Sequence, residues 1–282
     1  MQNAYTEILS ASVTAGIKNS TVYELLDSKY SCISKLVWKE PASPYFGFSG
    51  KMSFSQFICN IGLNFSFPNN FGTMEDFDYY MSGEVCQYSK HTNHLDNDCS
   101  LCADFGYDFD IGKFSAVPFI GCCYQYRKFS ASDGYLQIPE TGNAWTGNEE
   151  KRTVSGTGIC YEQNIFLLFI KLNVNYSFYC DFSITGSIKF SPYLFASCID
   201  THYFRNRQFF DKMNGGISFN GEIKFYFKQY GIFVSYEYLK SSENAKTYTQ
   251  DTGISDSKRT LSKNSIPGIE SYIWCLGIEY KL

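Results

Sequence analysis

A two-residue rhythm constrains this chain more than any other feature. From Ile217 the odd positions read Ile217, Phe219, Gly221, Ile223, Phe225 and Phe227, and the even ones Ser218, Asn220, Glu222, Lys224, Tyr226 and Lys228. Successive strand side chains point to opposite faces, so one face is apolar and the other polar. The split recurs at Phe182, Ile184, Gly186, Ile188 and Phe190 against Asp181, Ser183, Thr185, Ser187 and Lys189, and at Ile61, Leu63 and Phe65 against Asn60, Gly62, Asn64 and Ser66. The run Phe166, Leu168, Ile170, Leu172, Val174, Tyr176 adds another apolar face. The 26 Phe, 23 Tyr and 3 Trp also favour strands.

A soluble sandwich alternates too, with its apolar face inward. Three features point instead to a closed barrel whose apolar face meets lipid. Short turns such as Gly112-Lys113 and Phe178-Tyr179-Cys180 alternate with long polar connections near 82–98, 131–152 and 241–264, the asymmetry of outer-membrane barrels. Tyr and Phe crowd the strand ends, as an interfacial girdle requires. The last residues, Tyr272, Trp274, Leu276, Ile278, Tyr280 and Leu282, form one apolar face to the chain end. About ten runs are expected, near 5–22, 30–53, 57–80, 95–111, 114–130, 154–177, 181–200, 206–228, 231–243 and 266–282. The expected fold class is all-β: a ten-stranded antiparallel transmembrane β-barrel over residues 1–282, with long extracellular loops and short periplasmic turns. Inward Lys189, Glu222, Lys224 and Glu279 are expected to fill the lumen by pairing.

No window reaches the roughly 18 apolar residues of a membrane helix. A net charge of −4 with scattered Lys and Arg gives no footprint for nucleic acid. The 11 cysteines are read mainly as small apolar fillers, a disulfide or metal framework being the minority reading, with Cys99 and Cys102 an isolated half of a metal motif and Cys122 and Cys123 on opposite faces. His91 and His94 are placed in a solvated loop. The opening Met1-Gln2-Asn3-Ala4-Tyr5-Thr6-Glu7 has no basic and apolar leader, although a barrel of this kind needs a secretory signal.

Two short pairs carry the chemistry. Asp76-Phe77-Asp78 projects two carboxylates to one side of a strand, sharing the inward parity of Asn60, Asn64 and Ser66. Asp200-Thr201-His202 projects a carboxylate and an imidazole, a unit in which the acid orients the base. Close carboxylates raise the pKa of one member, so one can keep a proton while the other accepts one. Together the four side chains suit activation of a water; a hard-metal site and two solvated turn approaches are the alternatives. Asp200 and His202 share the parity of the outward Phe182 to Phe190, so facing inward requires a bulge, expected near Pro192.

Here the sequence resembles the omptins, a family of ten-stranded outer-membrane proteases. Gly72-Thr73-Met74-Glu75-Asp76-Phe77-Asp78-Tyr79 is similar to the family's Met-x-Asp-x-Asp-aromatic stretch, and Asp200-Thr201-His202-Tyr203 to its Asp-x-His-Tyr. Val37-Trp38-Lys39 and Gly268-Ile269-Glu270-Ser271-Tyr272 extend the likeness. The resemblance implies a surface endopeptidase with Asp76, Asp78, Asp200 and His202 catalytic, located in the bacterial outer membrane with its active site outward. It implies polypeptide substrates, contact with outer-membrane lipid, a monomer, and no cofactor beyond a lipopolysaccharide requirement. Ser20 and Cys198 stand where the family's primary specificity pocket has acids, which implies small or apolar residues rather than basic ones before the scissile bond. Tyr124, Lys128 and Asn164 match the family's lipopolysaccharide-binding positions, with Asn164 replacing an Arg and thereby weakening that site. A non-catalytic barrel acting as adhesin or host-protein receptor is the alternative function, and a narrow channel a third.

Overall fold

Apolar and polar alternation becomes a single antiparallel sheet of fifteen strands in the computed structural model, which describes residues 8–28, 32–178, 181–254 and 257–282. The N-terminal half supplies β1 (Ile8–Asp27), β2 (Cys32–Phe54), β3 (Phe57–Ser66), β4 (Asn69–Tyr79), β5 (Val85–Tyr107), β6 (Phe109–Ile111) and β7 (Phe114–Gln137). The C-terminal half supplies β8 (Arg152–Ser177), β9 (Phe182–His202), β10 (Arg207–Asn214), β11 (Gly216–Phe227), β12 (Tyr230–Ser241), β13 (Ala245–Asp251), β14 (Thr260–Ser262) and β15 (Ile266–Lys281). Hydrogen bonding runs from β1 through β2, β3, β5, β7, β8, β9, β11, β12 and β15, and β15 pairs back onto β1. Closure removes the sheet edges that would otherwise recruit another chain.

The strand count differs from the expected ten for local reasons. The run 57–80 is cut at Phe67-Pro68, where proline lacks the N–H a ladder needs. The run 206–228 is cut at Gly215 (φ +114°), and β11 opens on Gly216 (φ +136°), where a Cβ would sit 2.4 Å from the Lys240 carbonyl oxygen. The short β6, β13 and β14 are additional. Several strands also run further than expected: β5 begins at Val85 and β7 continues to Gln137. His91 and His94 therefore lie on a strand, not in a solvated loop; His91 is buried against the Asp133 carbonyl (2.7 Å) and Ser89 Oγ (3.0 Å), and His94 Nε2 meets Ser132 Oγ at 2.7 Å.

At one end, two-residue turns at Ser55-Gln56, Gly112-Lys113 and Lys228-Gln229 use a positive φ at Ser55, Gly112 and Lys228, the twist that tight hairpins favour. The third expected short turn, Phe178-Tyr179-Cys180, lies partly outside the described residues, and the Met1–Glu7 start lies wholly outside them. The opposite end carries the longer connections and β13 and β14.

Polarity is inverted relative to a soluble core. Ile120, Ile170, Ile188, Ile232, Leu276 and Ile278 face outward, each more than half exposed. Inside, Lys18 pairs with Asp98 and Lys171 with Asp104, Arg127 lies 3.5 Å from Asp98 and 3.8 Å from Glu237, and Lys224 lies 2.8 Å from Glu279 and 3.3 Å from Glu222. A cavity of about 540 Å³ remains among these side chains. Above it, Trp38, Met74, Phe129, Tyr161, Leu194, Leu239 and Ile269 meet from all around the ring, with Trp38 stacked on Phe129 (5.6 Å) and Tyr161 (5.9 Å). This apolar layer is the floor on which the rim is built.

Eight of the described cysteines are free, while Cys102 and Cys123 are an exception to the filler reading, joined by a disulfide. They face inward at directly opposed positions of β5 and β7, an adjacency that linear spacing does not display.

Candidate active site

Asp76 and Asp78 project inward from β4, above the floor. Asp76 is buried, and its Oδ1 finds no hydrogen-bond partner among the described residues; Asp78 is half-buried. Loss of solvent raises the Asp76 carboxyl to about 7, helped by the charge of Asp78 and opposed by His202 and Arg205.

The second pair reaches the interior because of a bulge. Opposite Leu168 to Ile170 of β8, strand β9 spends an extra residue between Tyr193 and Phe190. Ser191 occupies it, buried, its hydroxyl donating toward the carbonyls of Leu168 (2.7 Å) and Tyr193 (2.8 Å), with Pro192 next in sequence. Before the bulge Ile188 and Phe190 point outward; after it Tyr193 and Phe195 do, while Leu194, Ala196, Cys198, Asp200 and His202 turn inward. The bulge expected near Pro192 is thus present, and it sets the site.

His202 Nε2–H donates to Asp200 Oδ2 at 2.6 Å, which leaves Nδ1 as the ring's acceptor. Phe209 packs edge-on against the ring at 5.4 Å. Burial alone would depress the imidazole pKa, but the Asp200 carboxylate more than offsets this, and His202 ends above its ordinary value. Strands β5, β7 and β8 separate β4 from β9 along the sheet, yet the charge of His202 lowers the Asp76 pKa and that of Asp76 raises the His202 pKa. Arg205, on the turn after His202, bridges the walls directly, its Nη2 lying 3.4 Å from Asp78 Oδ2.

Two further acids were invisible to motif reading. Glu24 on β1 is buried and accepts from Trp38 Nε1 at 3.4 Å; Asp211 on β10 is buried directly opposite Cys198 in register. Burial lifts Glu24 well above the carboxylate range, with repulsion from Asp200 and Asp211 adding to it. Burial likewise lifts Asp211 to about 7, eased by Thr247 and opposed in that by Asp200. Parity alone could have flagged Glu24, two and four residues beyond the inward Val22 and Ser20; Asp211 needed the β9–β10 register. Among the described residues, no group of three or more His, Cys, Asp or Glu side chains is arranged to hold a metal ion.

The model of the Omptin family matches residues 4–282. The chain belongs to the omptin family. This omptin is similar in fold to the outer membrane protease OmpT from Escherichia coli, with a TM-score of 0.84 and 16% identity over 97% of this chain and 96% of that one. Weaker likenesses are to the transport unit of the autotransporter AIDA-I from Escherichia coli (TM-score 0.42, 10% identity, 99% and 92% covered) and to the attachment invasion locus protein Ail of Yersinia pestis (0.30, 11%, 97% and 98%). No curated protein matches the sequence.

The other positions that the family resemblance singles out fall in two places. Cys198 is fully buried between Tyr161 and the acids, and Ser20 is half-buried on β1, one turn of the pleat below Val22. Tyr124, Lys128 and Asn164 share the outer wall of β7 and β8, where the Tyr124 hydroxyl donates to Asn164 Oδ1 (2.6 Å) and Lys128 Nζ meets Glu162 Oε1 (2.9 Å). Lys128 is thus already paired.

Proposed function

We propose that this protein is an outer-membrane surface endopeptidase, in which a water between the Asp200/His202 dyad and the Asp76/Asp78 couple attacks the scissile carbonyl. His202 takes a proton from the water as the new C–O bond forms, and returns it to the amine nitrogen as the C–N bond breaks. Asp200 orients the imidazole and stabilises its charged form. Asp76, desolvated and sharing its site with Asp78, retains a proton near neutrality and can donate to the incoming water or carbonyl. No covalent intermediate is required.

One observation carries this reading: a buried Asp-His pair at 2.6 Å, with Arg205 of the turn that follows it reaching the carboxylate couple at 3.4 Å. Omptin membership and the fold of OmpT support protease activity in the bacterial outer membrane. The exposed apolar outer wall supports insertion in lipid. It ends at Tyr124, Phe166 and Phe195, beyond which Asn164, Ser197 and Lys212 face outward. The dyad and couple then stand above the bilayer on the long-loop side.

Substrate preference is read from Glu24 and Asp211. The pocket lost acids at Ser20 and Cys198 yet holds two others beside Cys198, so the expectation of small or apolar residues gives way to a cationic side chain before the scissile bond. Held above the ordinary carboxylate range by burial, each acid would give up its proton as an ammonium or guanidinium entered, forming an ion pair. On the outer wall, the Lys128–Glu162 pair leaves little net charge for lipid phosphate, and activity without lipopolysaccharide is proposed.

Refolded protein assayed on an unfolded polypeptide tests the mechanism. Asp78→Asn and His202→Ala should each lower turnover by about 10²-fold or more. Undiminished turnover in both removes it; binding of polypeptide with no cleavage by the parent favours the receptor reading.

A further inference from the structure

Hydrolysis through the proposed site creates a charge problem that the four motif residues do not solve. When water adds to the peptide carbonyl, its oxygen becomes an oxyanion, and that oxygen must lie beside Asp76, Asp78 and Asp200. Like charges at such range are costly in a partly desolvated cleft. A proton on Asp76 relieves part of this, but Asp78 remains close by, and catalysis of this type is driven chiefly by fixed donors aimed at the developing charge.

Arg205 is placed to supply them. It stands on the β9–β10 turn three residues after His202, and its guanidinium reaches back over the mouth to Asp78, at 3.4 Å from one Nη. A guanidinium carries five N–H donors in a planar fork, so an end-on contact to one carboxylate oxygen leaves others to offer. The turn itself is pinned. Tyr203 N–H donates to the Gly158 carbonyl (2.9 Å), Asn206 N–H to the Tyr203 carbonyl (3.2 Å), and Thr252 N–H to the Asn206 carbonyl (2.7 Å), with Asn206 in the left-handed region at φ +48°. The neighbouring Arg207 is held elsewhere, 3.1 Å from Asp251. Among the described residues, Arg205 is also the one arginine or lysine among the leading influences on both Asp76 and His202, so its charge is felt on both walls.

We propose that Arg205 is a further catalytic residue of this enzyme: anchored on Asp78, its guanidinium donates to the scissile carbonyl oxygen as that oxygen becomes an oxyanion. The assignment rests on the endopeptidase reading above. Asp78 then has a second task, since it holds the cation in place and keeps it from wandering into solvent. The half-exposed position of Arg205 suits a group that must be met by incoming substrate, and the pinned turn limits the reorganisation that would otherwise weaken it.

Arg205→Ala, Arg205→Lys and parent, each refolded, are compared on one peptide substrate. Arg205→Ala should lose about 10²-fold in kcat with KM changed by less than about threefold, the signature of a contact made in the transition state. Arg205→Lys should fall between the two, and free guanidinium ion should restore part of the alanine variant's turnover while leaving the parent unchanged. Independently of turnover, the His202 ring followed by NMR should titrate at higher pH in Arg205→Ala, because a repelling cation has been removed. An alanine variant with parental or increased kcat overturns the proposal, the increase marking Arg205 as a latch over the mouth; so does a loss confined to KM, or an unmoved His202 titration. A parent that cleaves no polypeptide overturns the endopeptidase reading itself, whereas an active parent with an equally active Arg205→Ala overturns only the role of Arg205.

Discussion

Single residues at the mouth are tuned by what surrounds them more than by their own chemistry. His202 acts as a base only when neutral, so turnover should fall as pH drops through its folded pKa, and pairing with Asp200 puts that limb above the ordinary histidine value of about 6.5. A pH profile whose acid limb lies in the carboxylate range would assign the base elsewhere. Asp211 gives a stability prediction of definite sign. Its folded pKa of about 7 exceeds the unfolded aspartate value of about 3.9, so the native state holds a proton that the unfolded chain releases. Its contribution is therefore fully present below about pH 4 and declines as pH rises toward 7. Asp211→Asn should leave thermal stability in detergent unchanged at pH 4 and raise it at pH 8, each kcal/mol recovered being worth about 2–4 °C. The same variant should lose preference for a cationic residue before the cleaved bond. Improved stability with unaltered cleavage specificity would leave Asp211 a buried defect rather than a pocket acid.

Among the elements, β9 decides whether a site exists at all. Its inward-facing half depends on one inserted residue, because a shift of one exchanges every side chain between faces. Deleting Ser191 should restore continuous pairing with β8 and turn Asp200 and His202 toward the outside, so hydrolysis should vanish while heat-resistant folding in detergent persists. Retained turnover in the deletion variant would mean that the parity argument fails. This is where the sequence was most legible: the conflict between Phe182–Phe190 and Asp200/His202 located the bulge without coordinates, since the period of a strand is strict. Legibility failed above the apolar band. There both faces of a strand meet polar surroundings, alternation fades, and stretches such as Ser89–Asp98 and Ala131–Gln137 look like loops while continuing as β5 and β7. Glu24, Asp211 and the Cys102–Cys123 bridge stayed hidden for a related reason, because their meaning comes from neighbours across or around the ring that no i, i+2 spacing encodes. Arg205 is the extreme case, a turn residue whose partner is 127 positions away.

At the scale of the molecule, charges fill the interior and isoleucines cover the outside, so the solvent facing each wall can be tested by placing the same charge at equally exposed sites. Ile170 and Ile188 are 57% and 56% exposed in the middle of the apolar wall, and Ile254 is 62% exposed between β13 and β14 on the long-loop side. In water the three positions would be equivalent, since an exposed isoleucine-to-arginine change away from packing is close to neutral. In a bilayer they are not: arginine at the midplane of a barrel costs about 2–4 kcal/mol, falling toward zero beyond the interface. Ile170→Arg and Ile188→Arg should therefore each lower the free energy of folding into lipid vesicles by about that amount in a denaturant titration, while Ile254→Arg folds like the parent. Because the lumen is braced by its own pairs, such as Lys224 with Glu279, the loss should come from the lipid face alone and leave peptide hydrolysis by the folded fraction intact. Equal stabilities for all three variants would mean that this wall faces water, and the barrel would then need another partner to cover it.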